Sequence, residues 1–439
     1  MRYIITLSLM LLLVGCQEER PDIDAISLPP ESKHLIEDSP PFSLNESDYR
    51  DKILGLLVGS AIGDAMGSPV EMWSRSDIAF RYGFVTDFLL NARPASAEGP
   101  WGSNLVAGTG TDDTRWKQLM GVYLLKTKST NNISPEGFTK FIADAYDELR
   151  QELTTASPLA ADRLDNSTRY LQWLQEWVKV AAAYQSGEVD EYADAVAKFY
   201  GGEMSCAGML YAPMLGITHA QRPRSAYRAA WSLSLFDIGY AKDITAMTAA
   251  LTAAAFDSTK NTEQLLQLHY DIDEARMADS RLIGRVVNTI YETALRDYYN
   301  SQQIDSVQVE RSKIPTYFQD RPSKYEQLLY LYDRMQPQLK SIPFHAHEIY
   351  LISLYALLFA DGDFMDAMVF ITNFGRDNDT VAAVVGSMMG AQLGYKKLPK
   401  ELSATVVQVQ KEKLNIDLIQ LAETLGDVYY EVLTQSVTD

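Results

Sequence analysis

Cysteine is scarce in this sequence: Cys16 and Cys206 are the two it has. If Cys16 is consumed at the N-terminus, as argued below, no intramolecular disulfide is available. Stability must then come from a large core, which a chain of this length can bury. Positive charge is also short, with 39 Lys and Arg against 58 Asp and Glu and a net charge of −19. Such an acidic chain is a poor ligand for polyanions, so a nucleic-acid partner is not expected. Histidine is rare too, and His345 and His347 have no third ligand nearby, so they read as loop histidines rather than a zinc site. No stretch alternates β-branched and polar residues, and no hairpin turn stands out, which argues against a sandwich or barrel. Beyond the N-terminus, no segment reads as apolar enough to span a bilayer.

The N-terminus itself has a recognisable order. Arg2 is followed by an apolar run from Ile4 to Val14, and then by Leu13-Val14-Gly15-Cys16. The run is shorter than the roughly 20 residues a membrane helix needs, and it fits a signal peptide over residues 1–15. The small residues before Cys16 form a lipobox, so cleavage there would leave Cys16 as the lipidation site. Residues 16–47 then carry five of the 17 prolines and many charges without either helical or strand period. They read as a flexible tether unable to offset its ordering entropy by burial. Gln17 argues against inner-membrane retention. The expected location is the bacterial cell envelope, at the outer membrane, with the lipid anchor as the sole membrane contact.

From residue 48 to 439 the chain reads as one all-α domain with insertions. Segments such as TRWKQLMGVYLLKT and YLQWLQEWVKV repeat apolar residues every three or four positions. The stretch 257–342 is where added elements are expected. The tryptophans of YLQWLQEWVKV read as core or cleft wall. Two helices carry glycine every four residues: Gly55, Gly59, Gly63 and Gly67, then Gly386, Gly390 and Gly394. A helix-interior glycine costs about 1 kcal/mol against alanine. Stripes on one helix face are explained where another backbone comes close. Asp64 and Glu71 interrupt the first segment and argue against a membrane role for it.

Both stripes adjoin carboxylate motifs that open helices. The first is Gly108-Thr109-Gly110-Thr111-Asp112-Asp113-Thr114; the second is Gly375-Arg376-Asp377-Asn378-Asp379-Thr380. One such motif is explained by helix capping and the helix dipole. Two, far apart in sequence, each mixing threonine with paired aspartates, point to a shared site. Carboxylates gathered together raise one another's pKa values unless a cation neutralises them. An all-oxygen donor set favours Mg²⁺, Mn²⁺ or Ca²⁺ over zinc. An EF-hand fails on spacing: counting from Asp377, the twelfth position is Met388 where a bidentate glutamate is needed.

In four stretches taken in order, GLLVGSAIGDAMGSPVE, GTGTDDT, AGMLYAPMLG and FGRDNDTVAAVVGSMMGA, the chain resembles the ADP-ribosylglycohydrolases. That family includes the dinitrogenase-reductase-activating glycohydrolase and the ADP-ribosyl-arginine and ADP-ribosyl-serine hydrolases. The resemblance implies an orthogonal helical bundle around a two-ion Mg²⁺ site, with Mn²⁺ as an alternative. Thr111, Asp112, Asp113, Asp377, Asp379 and Thr380 fall at the metal-ligand positions, and Glu71 at that of a mobile catalytic carboxylate. Asp64, Gly201, Gly202, Ser205 and Cys206 are assigned to substrate binding.

The resemblance implies hydrolysis of an ADP-ribosyl or related nucleoside-diphosphate-sugar bond, on a small-molecule or protein-linked substrate. Ser205 and Leu210 depart from the family's asparagine and arginine in the third stretch, which bears on the substrate more than on the reaction class. Two alternatives follow: a non-catalytic ADP-ribose-binding lipoprotein, or a metal-dependent hydrolase of another extracellular glycoside or nucleotide. Cys206 reads as a small buried residue rather than a nucleophile. Oligomeric state is not legible.

Overall fold

A computed structural model describes residues 41–90, 106–155, 161–304 and 307–435, the side chains of 161–170 excepted. The expected signal peptide, Cys16 and nearly all of the expected tether lie outside the described residues. Eighteen α-helices and one two-stranded sheet are present among them, in agreement with the all-α expectation. One apolar core runs through the bundle, and a small second cluster, Val70, Ile78 and Val85, lies under the segment that follows the first helix.

The centre of the bundle is the crossing of two helices, Glu46–Gly67 and Asn378–Leu393. Their glycines face each other. A Cβ on Gly59 would strike the carbonyl of Gly386, and one on Gly55 that of Gly390; Gly63 lies against the Ala382 and Ala383 backbone. The stripes therefore bring two backbones into contact. At the end of that seam Gly67 meets the backbone of Asn378 and Asp379. One motif is thereby placed against the start of the other.

Two details differ from the sequence reading. The helix Glu46–Gly67 and its extension to Val70 are apolar and long enough to cross a membrane, with mean hydropathy 1.4, but 94% of that window is buried inside the fold. It is a core helix, apolar all round because it is enclosed all round. The folded part also begins earlier than residue 48. Asn45 caps the first helix through Asp48 N, the Phe42 ring lies edge-on to Tyr49 at 5.4 Å, and Ser43 donates to Gln221.

Candidate active site

The Asp112–Thr127 helix begins with Thr111, whose side chain accepts from Asp113 N at 3.3 Å. This is ordinary N-capping. Beneath it, however, sits Asp64, fully buried in the first helix. Its carboxylate accepts from Thr111 N at 2.9 and 3.0 Å, from Thr114 N at 3.0 Å and from Thr114 Oγ1 at 2.5 Å. Gly110 leaves room for this, since a Cβ there would come within 2.6 Å of Thr114 Oγ1. Burial, with Asp113 nearby, pushes the Asp64 carboxyl up to about 6 against the pull of its Thr114 and Thr111 hydrogen bonds. The expectation that Asp64 meets substrate is not what its place supports. It holds the GTGTDDT loop from below.

The second motif is aimed by backbone conformation. Strand β1, Trp73–Ser74, pairs antiparallel with β2, Gly375–Arg376. Met72 N also donates to Arg376 O at 2.7 Å. Met72 and Arg376 both lie in the left-handed region, at φ 64° and 67°, which costs a residue with a side chain of order 1–3 kcal/mol. Arg376 is held there by Glu348, with contacts of 2.6 and 3.0 Å, and by the Lys340 carbonyl at 2.8 Å. This pairing brings Glu71, at the end of the short 3₁₀ turn Ser68–Val70, beside Asp377.

The two motifs and Glu71 meet. Carboxylate oxygens of Glu71, Asp377 and Asp379 lie within 4.8 Å of one another. Thr380 Oγ1 donates to Asp113 Oδ2 at 3.0 Å across the two motifs. Trp173 Nε1 donates to Asp112 Oδ2 at 3.2 Å, a positioning contact that helical spacing alone did not reveal. Glu71, Asp112, Asp377 and Thr380 share one cavity of about 90 Å³ with Ser205 and Leu210.

Two like charges about 4 Å apart cost about 4 kcal/mol at an effective dielectric constant of 20. The consequences are visible in protonation. Burial pushes Asp113 up to about 7, with Lys117 at 3.1 Å opposing and Asp112 and Asp379 adding. Burial, then Asp379 and Asp113, push Asp377 well above the carboxylate range. Buried oxygens that repel one another in this way fit a hard divalent cation.

The 199–206 loop divides. Gly201 and Gly202 are exposed, both at positive φ, and neither lines the cavity. Their part is to turn the chain rather than to touch a ligand there. Ser205 and Cys206 do line it. Burial, and then the nearby Asp377, Asp113 and Asp112, hold the Cys206 thiol protonated, consistent with an inert small residue. Sequence reasoning missed Asp237. This buried carboxylate accepts from Gly208 N at 2.9 Å and Thr245 Oγ1 at 2.7 Å, and so fixes the start of the Ala207–Thr218 helix. His345 caps a helix through His347 N, and the His347 ring meets Tyr240 Oη at 3.2 Å. Both play local structural parts.

A profile of the ADP-ribosylglycohydrolase family matches residues 45–432. An uncharacterised protein of Archaeoglobus fulgidus is 23% identical over 79% of this chain and 88% of its own. The ADP-ribosylarginine hydrolase Tri1 of Serratia proteamaculans is 22% identical over 85% of this chain and 80% of its own. A solved structure described as an ADP-ribosylglycohydrolase-related protein complex superposes with a TM-score of 0.51 at 18% identity, covering 87% of this chain and 99% of that one. Its likeness speaks to the fold alone. With the profile spanning nearly the whole folded part, the chain belongs to the ADP-ribosylglycohydrolase family, hydrolases of glycosidic bonds.

Proposed function

We propose that this protein hydrolyses an ADP-ribosyl, or related nucleoside-diphosphate-sugar, glycosidic bond in a Mg²⁺-dependent reaction. The observation that carries the reading is the meeting of Glu71 with Asp377 and Asp379 at the cavity wall. Thr111, Asp112, Asp113, Asp377, Asp379 and Thr380 would hold two divalent ions, Mg²⁺ or Mn²⁺. When bound, such ions orient sugar hydroxyls or phosphate and offset developing negative charge. Glu71 takes the proton from the attacking water as its oxygen bonds to the anomeric carbon. As the bond from that carbon to the leaving nitrogen or oxygen breaks, the same proton passes to the leaving atom. Lys117 and Thr380, both on Asp113, and Trp173, on Asp112, keep those two carboxylates in place. The direct test is to offer ADP-ribosylated arginine, ADP-ribosylated serine, NAD and ADP-ribose to the purified chain with Mg²⁺. Cleavage of none of them overturns the reading.

Two expected results accompany it. Mg²⁺ should raise the melting temperature, because a ligand of the folded state stabilises it by RT ln(1 + [L]/Kd). Asp112→Asn and Asp379→Asn should each lose most of that gain. The gain should also shrink as pH falls through about 7, the range to which Asp113 is raised. A carboxyl that holds a proton must release it before a cation can bind, so apparent affinity falls on the acid side. Native-like Mg²⁺ responses in both variants would mean that the two motifs do not form one site.

The second result concerns location. The lipobox motivates a lipid-anchored protein of the cell envelope, and Cys16→Ala should abolish membrane retention. Equal recovery of that variant in the membrane fraction would sink this part.

A further inference from the structure

The cavity lining is of two kinds: the carboxylates of Glu71, Asp112 and Asp377, and an apolar wall to which Tyr200, Leu210 and Phe344 contribute. Tyr200 and Phe344 pack as an aromatic pair with ring centroids 5.9 Å apart. Within the apolar wall stands Ser205. It is 4% exposed, and its Oγ has no hydrogen-bond partner among the described residues. Its backbone is held on both sides. Ser205 N donates to Glu203 O at 2.8 Å, Cys206 N to Phe344 O at 3.0 Å and Ala346 N to Met204 O at 2.9 Å, and Ser205 bridges to His345. A rigidly placed, buried hydroxyl with no partner is costly to keep. Ser205 lines the cavity, so a turn of its side chain would give this hydroxyl a ligand atom as partner.

Resting on the proposed glycosidic chemistry, we propose that the Ser205–Leu210 wall recognises the uncharged sugar ring itself, making this a site for nucleoside-type glycosides that need no diphosphate. The ring lies with its apolar C–H face on Leu210 and Phe344 and gives one hydroxyl to Ser205 Oγ. Its opposite edge faces the carboxylates. An anionic group pressed on the apolar wall would be desolvated without a compensating charge, whereas a neutral ring is not. Ser205 is therefore a ring-binding residue and Leu210 a filter against charge at that wall.

The test is calorimetry on the full chain with Mg²⁺, using adenosine and ADP-ribose as probes. Adenosine should bind within about tenfold of ADP-ribose. Ser205→Ala should weaken both by about tenfold, as expected for one lost hydrogen bond, and Ser205→Thr should restore them. Leu210→Arg should tighten ADP-ribose while leaving adenosine unchanged or weaker. Circular dichroism and melting of each variant establish that it folds. ADP-ribose binding more than about a hundredfold tighter than adenosine, or Ser205→Ala leaving both affinities unchanged, overturns the inference. Cleavage of ADP-ribosylated arginine, ADP-ribosylated serine, NAD and ADP-ribose, measured in parallel, separates the two claims. The expected binding pattern without any such cleavage upholds the ring-recognition inference and removes the ADP-ribosyl reading. Cleavage together with a hundredfold preference for ADP-ribose does the reverse.

Discussion

Glu71→Gln is expected to keep the fold and bind ADP-ribose almost normally while turnover falls roughly 10²–10⁴-fold, the usual range for losing a general acid or base. Three observations set this up. Glu71 is 8% exposed, lines the cavity, and places a carboxylate oxygen among those of Asp377 and Asp379. Its position at the end of a 3₁₀ turn, followed by the left-handed Met72, makes it part of a strained corner rather than a helix. Such strain is retained where geometry serves a purpose. Glutamine keeps the size of the side chain and removes its ability to accept a proton. The measurement pairs calorimetric ADP-ribose affinity with the hydrolysis rate on whichever substrate is cleaved. Unchanged turnover would exclude Glu71 from the proton transfer. A lost Mg²⁺-induced rise in melting temperature would instead make Glu71 chiefly a ligand to the ion.

The largest structural effect should come from the glycine seam. Gly59→Val should prevent recovery of folded protein or lower the melting temperature by more than about 10 °C, since a loss above 4–5 kcal/mol is in the exceptional range and each kcal/mol shifts a large chain by a few degrees. The reason is that the new Cβ meets the Gly386 carbonyl, backbone on both sides, so no rotamer change relieves it. Gly187→Ala is the control. Gly187 has φ 78° but nothing within 4 Å of an added Cβ, so its cost is confined to the left-handed backbone, about 1–2 kcal/mol. If the two variants melt within a few degrees of each other, the two helices do not depend on close backbone approach. The same seam places Gly67 against Asp379, so milder substitutions there should loosen the site before they unfold the chain.

Much of the fold and of the site is legible in the sequence. The glycine stripes recur every four residues, and the helical period turns that spacing into a face. Two Thr/Asp motifs at helix starts point to a shared oxygen site because helix N-termini present their first-turn side chains together. What the sequence does not show depends on partners far away in the chain. Asp64 reads as a substrate contact until Thr111 and Thr114, 47 and 50 residues on, are seen to donate to it. Trp173 and Asp237 likewise act through hydrogen bonds that no periodicity encodes. The strand pair of Trp73–Ser74 with Gly375–Arg376 is two residues long on each side, too short to leave a pattern of alternation.

By itself, then, the sequence determined the helical class, the two glycine faces that need a close backbone, the candidate cation ligands and the family, since each is written in local spacing. Only the tertiary structure decided which carboxylates touch and which merely support. It buried Asp64, left Gly201 and Gly202 in the open and brought Ser205 to the cavity that Glu71 also lines. Those assignments follow from burial and direction, which belong to the packed chain because every side chain's surroundings are supplied by elements distant in sequence.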